Sequence, residues 1–393
     1  MDPKWFPSSN RPVYPTGLVQ AGCTLIGVTS LLFPQGQFRN VIALPPLLLL
    51  AWNVRQHTAG SPEEDYLTAV NVVMAIAKYV DFAVMRIPEQ SCHRIGPDKH
   101  VETTDEINRM SLWQKFKWSL ELACTTRGIG WDWRVKNVEH VPHGISRRQF
   151  ILTQLIKAGA AYLFIDFYQW FIRSSPFGTT GPPPNLFSLP LREQFMYGWL
   201  RGFHSGFSMA LGYYILAVVA VGTGFSSPQS WPPIYGSFIK RGYTVRNIWG
   251  RCWHQFLRRT FETSSSVLLA LTMAKKGSSF SRYLQLYNGF LVSALIHHAG
   301  SLNMTYHEAI RYQFMFFMVQ PVAITIEDFA IYYARKKGLC DTWMTRAIGY
   351  IWTWTWLGFS LRYAAKFYFD LGLGAAPHPL VAKFSVMDVI WTT

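Results

Sequence analysis

Three histidines in this chain could do proton chemistry, and their surroundings differ sharply. His254 lies in "TVRNIWGRCWHQFLRRTFE" (244–262), a segment dense in arginine and tryptophan, whereas His297 and His298 close the apolar run "YNGFLVSALIHHAGS" (287–301). Gly289, Ser293 and His297 recur at i, i+4 and i+8, so on a helix they share one face. Small residues there would leave a cavity into which the imidazole projects. An ionisable group inside an apolar run is costly and marks function by default, although a histidine can also serve as hydrogen-bonding glue between membrane helices. In a dry cavity the neutral imidazole is the favoured form. That form can take a proton from a hydroxyl and turn its oxygen into a nucleophile. His298 projects from another face and is assigned a structural role.

Read as one helix, Asn247, Arg251, His254 and Arg258 form a polar stripe at i, i+4, i+7 and i+11, with Trp249, Cys252, Trp253 and Phe256 on the other side. One reading is an amphipathic helix lying flat at the membrane surface. The other is that the arginines hold a polyanion, such as a pyrophosphate, and His254 points at the reaction. An activated acyl donor on a soluble, phosphate-bearing carrier unites the two segments. The basic one would hold the donor, the oily one would do the proton transfer, and the reaction would be acyl transfer from acyl-CoA to an alcohol in the membrane.

The elements that must position these residues are membrane helices. Half of the 393 residues are hydrophobic, 16% are aromatic and only 15% are charged, against about a quarter charged in a soluble protein. The fold class expected is all-α, a polytopic integral membrane protein of about eight transmembrane helices. Apolar runs of spanning length lie at 17–33, 38–52, 66–85, 150–172, 202–224, 284–300, 312–333 and 347–369. The second contains Pro45-Pro46 and is expected to break. "SSSVLLALTMAKK" and "HPLVAKFSVMDVIW" are too short or interrupted for spans and suit re-entrant or interfacial segments. Residues 1–16 form a lumenal tail ahead of a single membrane-embedded domain, 17–393, and the proline-rich start lacks the form of a cleavable signal peptide.

The net charge of +15 is explained by the positive-inside rule rather than by nucleic acid, since no isolated basic domain exists. Ten Lys and Arg lie in 87–148, nine in 240–282 and four in 335–346. Two runs separate each neighbouring pair of these loops, which places all three in the cytoplasm and both termini in the lumen. The five cysteines are odd in number and form no CxxC pair, against a disulfide framework and a zinc site.

"NIWGRCWHQFLRR" resembles the FWGRxWHQ motif of the wax synthase-like branch of the membrane-bound O-acyltransferases, and "FLVSALIHHAG" resembles that family's FLxSGLxH segment. "QPVAITIED" (320–328) and "RGIGWDW" (127–133) resemble stretches typical of its fungal members. The resemblance spans about 120–370, with one departure: Ala294 stands where glycine is usual, which narrows the cavity. It implies that His297 is the catalytic histidine and that His254 takes the place of the polar residue accompanying it. Arg251, Arg258, Asn247 and Trp253 are then the acyl-CoA-binding candidates, with Gly289 and Ser293 in the acceptor cavity.

Fungal members of this size resemble the acetyltransferases of terpenoid and meroterpenoid pathways. The implied reaction is acetyl transfer from acetyl-CoA, as co-substrate, to a hydroxyl of a hydrophobic intermediate, in the endoplasmic reticulum membrane. No bound cofactor, metal or nucleic acid is implied. The alternatives are a long-chain wax-ester or sterol acyltransferase, a transporter, and an integral-membrane terpene cyclase. Among the remaining intramembrane acids, Asp81 and Asp166 are expected to pair with arginines such as Arg86 or Arg173, and Glu327 and Asp328 to make an ion pair or water contact.

Overall fold

Apolar runs of spanning length become helices because hydrocarbon leaves backbone groups no partner outside their own segment. The computed structural model describes residues 7–8, 10–96, 98–142, 144–178, 183–304, 307–373 and 381–391. Its helices are α1 (Thr16–Ser30), α2 (Gln37–Gln56), α3 (Pro62–Tyr79), α4 (Pro88–Ser91), α5 (Thr104–Asn108), α6 (Leu112–Cys124), α7 (Arg147–Arg173), α8 (Leu191–Gly222), α9 (Phe238–Arg241), α10 (Val245–Asn247), α11 (Arg258–Leu271), α12 (Ser279–Leu302), α13 (Ile310–Lys336), α14 (Trp343–Asp370) and α15 (Val386–Trp391). The expected spans fall on α1, α2, α3, α7, α8, α12, α13 and α14. Among the described residues, four segments are long and apolar enough to cross a membrane by themselves: Pro62–Val84, Arg147–Arg173, Leu191–Gly222 and Ile310–Lys336. Among the described residues, extended pairing is limited to isolated bridges such as Arg94 with Trp131.

The expected break at Pro45-Pro46 does not occur; both prolines lie inside the continuous helix α2. Ala43 and Leu47, which flank them, are fully buried in a cluster with Val19 and Cys23 of α1 and Ala69 and Val72 of α3. Side-chain packing on both sides of the pair holds the helix where local propensity would end it. Of the two doubtful segments, "SSSVLLALTMAKK" ends α11 and leads into its turn, and "HPLVAKFSVMDVIW" ends in α15, with its first three residues outside the described ones.

The chain divides into two compact units, Met1–Lys136 with Phe256–Glu308, and Asn137–Gln255 with Ala309–Thr393. In the first, α3 runs straight into a π-helical turn, Val80–Val84, which carries the buried Asp81. Asp81 accepts from Arg259 Nε and Thr263 Oγ1, both at 2.7 Å, with Arg86 at 3.4 Å. The Arg259 guanidinium lies 4.2 Å from the Phe82 ring centroid and 4.4 Å from that of Trp133. Trp133 can close over it because Gly128, at φ +63°, holds a turn in which a Cβ would stand 2.6 Å from the Trp133 ring. The segment "RGIGWDW" therefore serves the structure by folding an aromatic wall onto a buried cation.

In the second unit α7 and α8 form an antiparallel pair and α14 lies along α8. Asp166 does not meet Arg173. It accepts from Ser385 Oγ (2.6 Å) and from the backbone N–H groups of Val386 (2.7 Å) and Met387 (3.0 Å), capping α15, while Arg173 pairs with Asp388 of that helix at 2.7 Å. The orphan donors of a helix start outbid a distant guanidinium for the carboxylate.

A second buried charge cluster sits in the first unit. Glu89, fully buried, accepts from Arg39 Nη2 and from Lys115 Nζ, each at 2.7 Å. Burial drives both Glu89 and Lys115 towards their neutral forms. For Lys115 it prevails and the ammonium titrates below its usual range, but two cations converge on the one carboxyl and hold Glu89 below its ordinary value. A depressed acid stabilises the fold above its unfolded pKa, and this contribution is lost as pH falls through the folded value. Glu89→Ala strands two buried cations, a loss of about 3–5 kcal/mol for a broken buried pair. Thermal unfolding of the detergent-solubilised protein is expected to show a lower midpoint for this variant at pH 7. The gap between variant and parent should close as pH falls below about 4, the ordinary carboxylate range.

Candidate active site

In the first unit α11 and α12 form an antiparallel hairpin. Leu257, just ahead of α11, shares a buried cluster with Ile296 and with Val70 of α3. Phe261 lies over Gly289, 3.8 Å from where its Cβ would be, and Asn288 Nδ2 donates to Ser264 Oγ (2.9 Å) and Ser265 Oγ (3.0 Å). The glycine on the expected cavity face is therefore covered by an aromatic ring at ordinary contact distance. Ser293 is buried. One turn further on, the half-buried His297 meets a residue that no sequence pattern singles out: its Nδ1 lies 2.7 Å from the Tyr66 hydroxyl. The two rings are nearly parallel, with centroids 6.2 Å apart.

Tyr66 stands in the first turns of α3, where Ser61 caps the helix by accepting from Glu64 N–H and Pro62 occupies the first helical position. In the sequence Tyr66 is only the edge of a span. Its one signal is a phenol at the end of an apolar run, where a hydroxyl needs a partner.

The basic segment is not one helix. It runs as the short turn α10, a π-helical turn Ile248–Cys252, an extended break at Trp253 and then α11. The stripe of Asn247, Arg251, His254 and Arg258 is broken with it: the first three belong to the second unit and Arg258 to the first. The cause is a partner far along the chain. Glu327 of α13 accepts from the backbone N–H groups of Val245 (2.6 Å) and Arg246 (3.1 Å) and from Trp352 Nε1 (3.1 Å). Beside it Asp328 takes the Arg246 guanidinium in a fork, with Nε at 3.0 Å from Oδ1. This is the ion pair expected for Asp328, whereas Glu327 binds backbone. Gln320 Oε1, two turns earlier on the same helical face, accepts from Trp249 Nε1 (3.3 Å) and Trp356 Nε1 (3.1 Å). "QPVAITIED" thus anchors "VRNIW".

Within the second unit Trp253 stacks on Tyr235, centroids 5.3 Å apart, and its ring passes over Gly206. His254 lies beside Trp253, and Arg251 is exposed. Asn247 N–H closes the α10 cap onto Thr244 Oγ1 (3.0 Å). In the first unit Arg258 pairs with Glu262 at 3.2 Å, one turn on. Its neighbour Arg259, which no motif marks, is the one locked to Asp81.

Cys252 is fully buried in this loop and its thiol is pushed up to about 11, mainly by burial. Glu327→Ala removes the carboxylate from two backbone donors, at about 1–3 kcal/mol for each buried group left unsatisfied. In membranes at about neutral pH, maleimide labelling of Cys252 is expected to be slow in the parent and at least severalfold faster in the variant. Equal rates would mean that Glu327 does not hold the loop.

Residues 231–319 match the model of the membrane bound O-acyl transferase family, a stretch that contains both His254 and His297. The chain is 31% identical over 307 residues to acetyltransferase ple2 of Rhodocybe pseudopiperita, covering 77% of this chain and 78% of that one. It is 31% identical over 344 residues to acetyltransferase sirH of Leptosphaeria maculans, covering 83% and 84%. It is also 29% identical over 320 residues to the O-Mevalon transferase macI of Penicillium terrestre, covering 74% and 73%.

Proposed function

Because this chain belongs to the membrane bound O-acyl transferase family, as an integral membrane acyltransferase that uses acyl-CoA, we propose that it transfers acetyl from acetyl-CoA to a hydroxyl of a hydrophobic terpenoid or meroterpenoid intermediate of secondary metabolism. The endoplasmic reticulum is the proposed location. The acetyltransferase names of the relatives support the acyl group, and the half-buried histidine on α12, held by a hydrogen bond, supports the chemistry.

In this reading His297 is the general base. The acceptor's O–H bond breaks as its proton passes to the imidazole, and the oxygen attacks the thioester carbonyl carbon to give a tetrahedral intermediate. As the intermediate collapses the C–S bond breaks, the ester forms, and the departing thiolate of CoA takes the proton back from the imidazolium. The reacting groups are neutral before and after the transfer, so the oily surroundings hold separated charges only while the intermediate lives. Ser293 is assigned to border the acceptor on the face from which His297 projects; Gly289, on the same face, lies under Phe261, so the acceptor there would meet that ring. Arg251, with Asn247 and Trp253, is assigned to the donor, where an exposed guanidinium suits a phosphate of CoA, and His254 keeps the catalytic role that its motif implies. Arg258, in the first unit, is likewise a proposed phosphate ligand, exchanging its surface partner Glu262 for the anion.

A second reading keeps the chemistry and changes the acyl group, because one relative is named as an O-Mevalon transferase. Acyl-CoA thioesters of increasing length and polarity, supplied to microsomes with candidate alcohols, separate the two; preferential use of acetyl-CoA supports the first.

The decisive variants are His297→Ala and His298→Ala. The first is expected to lose acyl transfer by about 10²- to 10⁴-fold, the typical contribution of a positioned base, while still accumulating in the membrane. The second should retain most activity. Full activity in His297→Ala would end the acyltransferase mechanism as written. Arg251→Ala should raise the donor's KM by roughly tenfold to a hundredfold, from about 1.5–3 kcal/mol of charge-assisted hydrogen bonding, with the alcohol's KM unchanged.

A further inference from the structure

We propose that Tyr66 is the positioning residue for His297, accepting the Nδ1–H of the imidazole so that Nε2 is the atom that takes the acceptor's proton. The inference rests on the reading of His297 as base. It starts from the 2.7 Å separation of Tyr66 Oη and His297 Nδ1. A neutral imidazole has one N–H and one lone pair, and the hydrogen bond made by one nitrogen decides which tautomer is present. With Nδ1–H held by the phenol oxygen, the lone pair resides on Nε2 and the ring cannot turn over.

The placement of Tyr66 is built by three further features of the first unit. Gly300 lies three residues beyond His297, and a Cβ there would stand 2.7 Å from both Tyr66 Cδ2 and Val70 Cγ2. Only glycine lets α3 come close enough for the phenol to reach Nδ1. Next to Tyr66, Asp65 is clamped by Arg11 Nη2 (2.7 Å), Thr58 Oγ1 (2.8 Å) and the N–H of Ala59 (2.5 Å). Asn303, just past the end of α12, closes the clamp: its Nδ2 donates to the Asp65 carbonyl (3.0 Å) and its own carbonyl accepts from Arg11 (3.0 Å). The start of α3 and the end of α12 are thus tied together on either side of the Tyr66–His297 pair. An arginine from the amino-terminal segment supplies the tie.

Tyr66→Phe keeps the ring and removes only the hydroxyl. The variant is expected to accumulate as the parent does and to lose kcat by roughly 10- to 100-fold, the range found when a group orienting a metal-bound histidine is removed. KM for acyl-CoA and for the alcohol should stay unchanged, with activity expressed per amount of immunoblotted enzyme. Tyr66→Leu, which removes the ring as well, separates positioning from packing. If Tyr66 only fills space over Gly300, the phenylalanine variant keeps full kcat and the leucine variant alone falls, and the proposal is overturned. The His297→Ala enzyme assayed alongside keeps the two readings apart. An inactive His297→Ala beside a fully active Tyr66→Phe sinks the tautomer argument and leaves the base in place. An active His297→Ala sinks both.

Discussion

Inside hydrocarbon a polar group has no water to fall back on, so every carboxylate, guanidinium or amide placed there must find its partner within the protein. The polar architecture of this chain follows from that constraint. Asp81 is taken by Arg259 and Thr263, Asp166 by the start of α15, Glu327 by the backbone of α10, and Gln320 by two indoles. Each of these side chains leaves a helix to fix something that is not a regular span: a π-helical turn, a terminal helix, a motif-bearing loop. Apolar packing sets where the spans lie. The intramembrane polar groups set where the irregular segments lie, and the irregular segments carry the motifs.

The same constraint divides what was legible in the sequence from what was not. Spans were legible because hydropathy is a local property, and the runs at 150–172 and 312–333 fall within α7 and α13. Chemistry was partly legible, because a histidine in an apolar run is conspicuous wherever its partner comes from. Partner choice was not legible. The polar stripe drawn through Asn247, Arg251, His254 and Arg258 assumes that periodicity alone decides local structure, whereas Glu327, about eighty residues away, holds the backbone of Val245 and Arg246 in a turn. Pro45-Pro46 misleads in the opposite sense. Proline costs a helix its hydrogen bond, but the packing of Ala43 and Leu47 outweighs that cost. Tyr66 escapes a sequence reading for the same reason in its simplest form, since the hydrogen bond to His297 joins residues 231 positions apart.

Charged groups that serve structure also limit what can serve the reaction. Arg259, Arg39 and Arg246 are each engaged by a carboxylate, and Arg259 is further walled in by Phe82 and Trp133. A guanidinium committed in this way gains little by turning to a phosphate, because it would leave a buried acid uncompensated. Arg251 is exposed, and Arg258 meets a surface carboxylate at i+4, a pairing worth about 0.3–0.5 kcal/mol. An exposed guanidinium such as that of Arg251 can turn to a passing polyanion at small cost. A net charge of +15 therefore overstates the chain's capacity to bind anionic donors.

For the reaction centre the balance runs the other way. A base needs a fixed position more than a high affinity for protons, and a loose imidazole in a cavity samples orientations in which its lone pair faces the wrong atom. A helix backbone alone does not prevent this, since histidine turns about two side-chain bonds. The correction comes from α3, and it is possible because α12 carries glycine rather than a larger residue at position 300. The glycines on this helix are not equivalent. Gly300 admits the Tyr66 ring, which a Cβ would meet at 2.7 Å, whereas the Phe261 ring stands 3.8 Å from a Cβ at Gly289, an ordinary contact. Between them lies His297, on the same helical face as Ser293, with its Nδ1 against the Tyr66 hydroxyl.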